Sequence, residues 1–96
     1  MPYYALFYTN VVDDFVNRRV PFREEHLKLA LESYNRGELQ LAGALADPVD
    51  GALLIFLSDD STSVEAFAKR DPYILHGLVK QWRIRAWTVV VGNKPG

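Results

Sequence analysis

The pattern of apolar and polar residues predicts a β-strand near each end of the chain. From Tyr3 to Thr9, aromatic and apolar side chains fill both alternating sets of positions, which is typical of a strand covered on both faces. Residues 81–91, QWRIRAWTVVV, alternate at first and then become wholly apolar. They predict a last strand, and the GNKPG that follows predicts a frayed tail.

A change of period after the first strand predicts a helix. Pro21 suits the first turn of a helix, where its missing N–H costs nothing, and Gly37 suits the position just past the end. Between them, apolar side chains recur at i, i+3, i+4 and i+7 spacing, at Leu27, Ala30, Leu31 and Tyr34. We expect a first helix over about Pro21 to Arg36, with this stripe facing the core.

Two more strands and a second helix follow. ELQLAGALA alternates, GALLIFLS is continuously apolar, and DPVDG between them carries turn residues, so these segments predict a hairpin. In STSVEAFAKR, Thr62 precedes Glu65 by the three positions of a capping box, which predicts the start of a second helix. That helix should end near Arg70, because the residue before Pro72 is pushed out of the helical region.

The predicted order is β-α-β-β-α-β, the ferredoxin-like arrangement of the α+β class. In it, two helices lie on one face of a four-stranded antiparallel sheet. We expect the 96 residues to form a single domain. Because two helices cover only one face, strands that are apolar on both faces need a second cover. For so short a chain, the natural cover is another copy of itself, so we expect a homodimer.

The composition excludes several classes of function. The formal net charge is -1 and no run of five or more like charges occurs, so the chain lacks the basic surface of a nucleic-acid-binding protein. The absence of cysteine excludes a disulfide scaffold and cysteine-ligated metals. The start, MPYYALFYTN, lacks signal-peptide features, and no apolar run approaches about 18 residues. We therefore expect a soluble, cytoplasmic protein without a membrane partner.

Few polar side chains could do chemistry. His26 lies one position before Leu27, at the border between the apolar stripe and the polar face, and Arg23 precedes it by three residues. On sequence alone we prefer a half-exposed histidine stacked on an aromatic neighbour, and the alternative is a proton-transfer group in a crevice at the sheet edge. Arg23 is either a salt-bridge partner or an anion clamp.

Asp71 also has two interpretations. As a helix cap it suits Pro72 in the next position and a single turn that Gly77 ends. As a site acid it would fix the tautomer of His26 and raise the basicity of the ring. The two residues are 45 positions apart in the sequence, so no spacing rule brings them together.

Metal and cofactor motifs are absent from the sequence. Two distant histidines without H-x-x-H spacing predict no metal site. The chain has no P-loop, no G-x-G-x-x-G and no G-x-S-x-G, so we expect no cofactor. The many strand aromatics predict core and dimer packing. They could also line a pocket for a flat small molecule at the helix–sheet edge.

Four motifs occur in order along the chain: YYALFYT, R-x-x-H-L from Arg23 to Leu27, G-x-L-x-x-x-G within GELQLAGAL, and DPY…GL from Asp71 to Leu78. Together they resemble the YciI-like (YCII-related) family. The resemblance implies a ferredoxin-like fold whose sheets dimerise into an α+β barrel. It also implies that His26 and Asp71 face one pocket, with the backbone around Gly43 close by.

Two positions depart from this pattern. Ala44 stands where members often have proline, which changes the loop at the pocket edge and with it the shape of substrate expected. His76 stands where the family commonly has a small residue, so it takes no role from the resemblance.

Some relatives are lyases, such as dehydrochlorinases, that act on ring compounds. The resemblance therefore implies a cofactor-independent lyase or isomerase acting on a small cyclic or unsaturated acid. In this hypothesis His26 transfers the proton and Asp71 orients it, while Arg23 contacts a substrate anion. Either Tyr8 or Tyr73 would supply a hydroxyl donor. The alternative is a non-catalytic metabolite-binding or accessory module, and in a purely structural interpretation His26 and Asp71 form a buried brace.

Overall fold

The computed structural model describes residues 2–92. The elements are β1 Tyr3–Val11, α1 Phe15–Arg18, α2 Val20–Asn35, β2 Leu39–Ala44, β3 Ala52–Leu57, α3 Thr62–Arg70, α4 Pro72–Leu75 and β4 Val79–Trp87. The four strands form one antiparallel sheet in the order β2-β3-β1-β4. This is the ferredoxin-like α+β topology, and the prediction of the fold class is confirmed. None of the described helices is long and apolar enough to cross a membrane.

The core lies between the sheet and the helices. Leu6 and Tyr8 of β1 point into it beside Leu54 and Phe56 of β3, and each of the four is at most 2% exposed. The ring of Phe67 in α3 packs edge-on against Phe56, with 5.1 Å between ring centroids. Each apolar side chain buried in this way contributes roughly 1.5–3 kcal/mol to the free energy of unfolding. The core thereby fixes β1 and the helices in the positions that build the site described below.

The opposite face of the sheet has no helix over it within residues 2–92. Alternate residues of the three strands β1, β3 and β4 line a shallow groove of about 420 Å³ there, including Ala5, Phe7, Leu53, Ile55, Arg83, Arg85 and Trp87. Trp87, whose ring packs edge-on to Tyr3, is 49% exposed. We call this surface the open face; it is mostly apolar, with two arginines on its β4 side.

The buried stripe of α2 is not the predicted one. Leu27, Leu31 and Tyr34 are 48%, 58% and 58% exposed, so the expectation that they face the core was wrong. Of the predicted stripe, only Ala30 packs against the core. The side chains that α2 turns toward the sheet and α4 are Phe22, His26, Leu29, Ala30 and Ser33. These positions also follow a helical period, but a histidine and a serine interrupt the apolar signal.

Several element boundaries differ from the predictions. β1 continues to Val11, which pairs with Val79 of β4, and the short helix α1 follows before Pro21, where we expected the first helix to begin. β4 ends at Trp87, so residues 88–91 are not part of the sheet. Of the predicted tail, Gly92 alone belongs to the described residues.

The glycines at two helix ends are found as predicted, but the cap at the start of α3 is not. Gly37 and Gly77 have φ of 83° and 73° just past α2 and α4, as their positions predicted. At the start of α3, the Thr62 N–H donates to Asp60 Oδ1 at 2.9 Å, and Ser61 is the N-cap residue. The predicted capping box is therefore wrong, since the side-chain acceptor at this helix start is Asp60, two residues before Thr62.

Candidate active site

His26 and Asp71 meet where α2 passes the start of α4. The Nδ1 atom of His26 is 2.9 Å from Oδ1 and 3.0 Å from Oδ2 of Asp71. The Asp71 side chain is 0% exposed and that of His26 is 15% exposed. The fold thus provides the contact that the distance along the sequence could not predict.

Asp71 has its position because it begins α4. Its Oδ1 accepts the Tyr73 N–H at 3.0 Å, which is the usual capping bond, and Pro72 follows in the first helical position. Its Oδ2 accepts the hydroxyl of Tyr8, from β1, at 2.5 Å. Asp71 is therefore at once a cap and the partner of His26. Donors from three elements compensate the cost of burying its carboxylate.

The bond to Asp71 determines which ring nitrogen of His26 carries the proton. A carboxylate only accepts hydrogen bonds, so Nδ1 is the protonated nitrogen and Nε2 of the neutral ring keeps its lone pair. The ring also stacks on Tyr73, with centroids 4.0 Å apart and planes 10° from parallel. No described residue forms a hydrogen bond with Nε2. The histidine is thus fixed in orientation and has one basic nitrogen available.

A cavity of about 230 Å³ lies beside the pair, between α2 and the edge of the sheet. Its lining includes His26 and four other predicted site residues, Tyr8, Arg23, Gly43 and Tyr73, together with Ala44. Asp71 lies behind His26 and is not part of the lining. The larger groove on the open face contains neither member of the pair, so we place the candidate site in the smaller cavity.

The two tyrosine hydroxyls of the site differ in what they can offer a ligand. Burial, reinforced by the charge of Asp71, raises the pKa of Tyr8 far above its usual range, and the hydroxyl already donates to Asp71. Burial also raises the pKa of Tyr73, but the guanidiniums of Arg23 and Arg19 oppose that rise. The Tyr73 hydroxyl is buried and has no hydrogen-bond partner among the described residues. Of the two, Tyr73 has the proton to donate.

Among the lining residues that were not predicted as site residues, Phe15 and Arg19 carry an aromatic ring and a charge. Phe15 and Arg19 both belong to the segment around α1, and the Arg19 guanidinium lies 5.4 Å from the centroid of the Phe15 ring. The available signal was the spacing of Arg19 and Arg23, which is that of two residues on one helical face. It was missed because the segment carries no apolar period of its own.

The other histidine is outside the site. His76 stacks on Phe22 at 4.2 Å between centroids, is exposed, and does not line the cavity. Among residues 2–92 no cluster of three or more histidine, aspartate or glutamate side chains has the geometry to hold a metal ion.

A protein of known structure shares the fold of this chain, and a family model matches its sequence. A solved structure of 5-chloro-2-hydroxyhydroquinone dehydrochlorinase (TftG) from Burkholderia phenoliruptrix AC1100, in complex with 2,5-dihydroxybenzoquinone, has the same fold. Its TM-score is 0.74 at 16% identity, over 90% of this chain and 93% of that chain. No curated protein matches the sequence. The family model for the YCII-related domain matches residues 1–88, and the chain belongs to the YCII-related family.

Proposed function

We propose that the protein is a small-molecule enzyme, a cofactor-independent lyase or isomerase that moves a proton on a small cyclic or unsaturated acid. The observation that carries the proposal is the His26–Asp71 pair beside a cavity, with Nδ1 held by the carboxylate and Nε2 available. The dehydrochlorinase of the same fold, whose name describes loss of HCl from a ring compound, supports this reaction class.

The proposed chemistry uses His26 as a general base. Nε2 takes a proton from the substrate, and the electrons of the broken bond form a new double bond. In a lyase, a leaving group such as chloride departs with its own bonding electrons, so that HX is lost overall. In an isomerase, the proton returns to a different atom. Asp71, 2.9 Å from Nδ1, stabilises the positive charge that develops on the ring.

Chloride release tests this proposal. We expect the wild-type protein to release chloride from chlorinated hydroxyhydroquinones such as 5-chloro-2-hydroxyhydroquinone. His26→Gln should slow the reaction by about 10²–10⁴-fold, the usual contribution of a positioned base. His76→Gln is the matched control, because this exposed histidine lies outside the cavity. Full activity in His26→Gln would refute the role of His26.

A non-catalytic metabolite-binding or accessory module is the alternative. It is favoured by the bonds of Asp71 to Tyr8 and to the backbone of α4, which would brace the fold even without a substrate. This alternative predicts a ligand that stays bound and unchanged through long incubation. Mass spectrometry of the recovered ligand separates the two functions.

We also propose that two copies associate through their open faces to form an α+β barrel. The proposal is supported by the apolar character of this face, to which Phe7, Leu53 and Trp87 contribute. Surfaces of this kind on small domains usually contact a partner. A sheet-on-sheet contact would cover it without disturbing the helices.

A further inference from the structure

Two arginines on the wall of the cavity have no acidic partner. Arg19 and Arg23 both line it, and neither belongs to an ion pair among residues 2–92, where the pairs formed are His26–Asp71 and Arg36–Glu38. Arg19 is half-buried and Arg23 is more exposed. Two cations directed into the same small space repel one another, so this wall favours an anion.

The same wall contains an unused donor. The Tyr73 side chain is 3% exposed, and its hydroxyl has no hydrogen-bond partner among the described residues, which is unusual for a buried polar atom. The positive charges of Arg23 and Arg19 favour its ionised form. An arginine only donates hydrogen bonds, so the hydroxyl keeps its own O–H for a ligand even where Arg23 approaches the oxygen. Arg19, Arg23 and Tyr73 therefore line the same cavity, and the Tyr73 O–H is still available to donate.

We propose that Arg19, Arg23 and the Tyr73 hydroxyl form a subsite for an oxyanion carried by a flat ring. The inference rests on the proposed function for the reaction, but the binding of the oxyanion is independent of it. Tyr73 links the two halves of the site, because its ring stacks on His26 and it lines the same cavity as the two arginines. A ring oxyanion bound there lies beside the base, so the negative charge that builds up on proton removal can spread onto an oxygen already held by cations.

The shape of the cavity favours a flat ligand. Aromatic rings of Phe15, His26 and Tyr73 form one side, and the small side chains of Ala42 and Ala44 are on the strand side. The cavity of about 230 Å³ suits a single substituted ring. The substrate class inferred is therefore a monocyclic phenolate, enolate or aromatic carboxylate.

Binding of 4-nitrophenolate, measured by its absorbance in the full-length protein, tests the subsite. The neutral analogue 4-nitroanisole and the carboxylate 4-nitrobenzoate are the comparison probes. We expect the phenolate to bind at least about tenfold more tightly than the anisole, since charge-assisted hydrogen bonds carry this difference. The bound probe should also stay ionised at a lower pH than the free probe, because cations favour the phenolate.

The neighbouring arginines provide a matched pair of variants. Arg19→Gln should weaken 4-nitrophenolate binding by about 10- to 100-fold and leave 4-nitroanisole binding unchanged within about threefold. Arg18→Gln is the control, because Arg18 is exposed and does not line the cavity. Arg19→Lys keeps the charge but loses the planar fork, and should be intermediate. Tyr73→Phe should weaken the phenolate by about fivefold or more.

Several outcomes would overturn the subsite: equal affinity for phenolate and anisole, equal loss in the Arg18 and Arg19 variants, or no phenolate binding at millimolar concentration. Whether 4-nitrobenzoate binds as tightly as the phenolate separates a carboxylate substrate from a phenolate. Failure of the proposed reaction can be distinguished from failure of the subsite. Binding that depends on the arginines but is not followed by turnover would support the subsite and contradict the proposed enzyme activity.

Discussion

Asp71 accepts hydrogen bonds from β1, α2 and α4, so one substitution at this residue tests both structure and chemistry. In Asp71→Asn, one of the two acceptor oxygens is replaced by an NH₂ group, which is a donor. The amide can therefore no longer accept all three hydrogen bonds that Asp71 accepts. We expect the free energy of unfolding to fall by about 1–3 kcal/mol.

The same variant should also change the tautomer of His26. Without the carboxylate, the proton is no longer held on Nδ1, and the ring should shift toward the Nε2-protonated form. Ring ¹⁵N chemical shifts measure this directly, and the signals of His76 provide an internal control. An unchanged His26 tautomer would show that Asp71 does not orient the ring.

Because the Tyr8 hydroxyl is buried, we expect the free energy of unfolding to decrease at alkaline pH. Its pKa is raised in the folded state by burial, so below about pH 10 it is protonated in both states and contributes no pH dependence. Above that pH the unfolded chain loses the proton and the folded chain keeps it. The free energy of unfolding should then fall by about 1.4 kcal/mol per pH unit on account of this group.

Urea unfolding at pH 9 and pH 11 measures the effect. Tyr8→Phe should lose less stability between the two pH values than the wild type does. Tyr34→Phe, which removes an exposed hydroxyl, should behave as the wild type. Equal losses in all three proteins would contradict the assignment.

Helix α2 carries two sets of helically spaced side chains, and the structure buries the set whose apolar signal in the sequence is weaker. Leu29 is 8% exposed, whereas Leu31, two positions later, is 58% exposed. Leu29→Ala should lower the free energy of unfolding by about 2–5 kcal/mol, and Leu31→Ala by less than about 1 kcal/mol. Denaturant unfolding of both variants at one protein concentration decides the matter. Equal costs would mean that the helix is rotated or that Leu31 is covered by another copy.

The sequence pattern predicted some features of the helices and strands and missed others. Strand alternation and helical period predicted the order of the main elements and hence the topology, because both patterns arise from one buried face per element. They did not predict the rotation of α2, since the buried face includes His26 and Ser33, whose polarity hides the period. The short helix α1 begins after Asp14, which has φ of 58°, and no apolar repeat announces it.

Local chemistry singled out the residues of the candidate site one at a time, and only the family resemblance predicted that His26 and Asp71 face one pocket. His26 and Asp71 each stood out by local chemistry, but their contact depends on the packing of α2 against α4. Arg19 was missed because its role depends on the cavity it lines, which no local pattern encodes. Contacts between distant residues are properties of tertiary structure, so sequence spacing cannot supply them.

At the scale of the whole molecule, the open face predicts the oligomeric state. Sedimentation at micromolar concentration should give twice the chain mass of 10.9 kDa, that is 2 × 10.9 = 21.8 kDa. Phe7→Glu places a charge in the middle of this face and should shift the mass toward a single chain. Leu31→Glu, on the exposed side of α2, is the control and should leave the mass unchanged. A wild-type mass of one chain would refute the dimer.

The three donors of Asp71 also bear on the order in which the site can form during synthesis of the chain. Tyr8 and His26 leave the ribosome well before Asp71, and β4, which pairs with β1, emerges after Asp71. Until α4 has docked, His26 has no carboxylate to hold its ring. A nascent chain therefore carries Tyr8 and His26 before the geometry of the pair exists, and that geometry forms only when α4 has packed against α2 and β1.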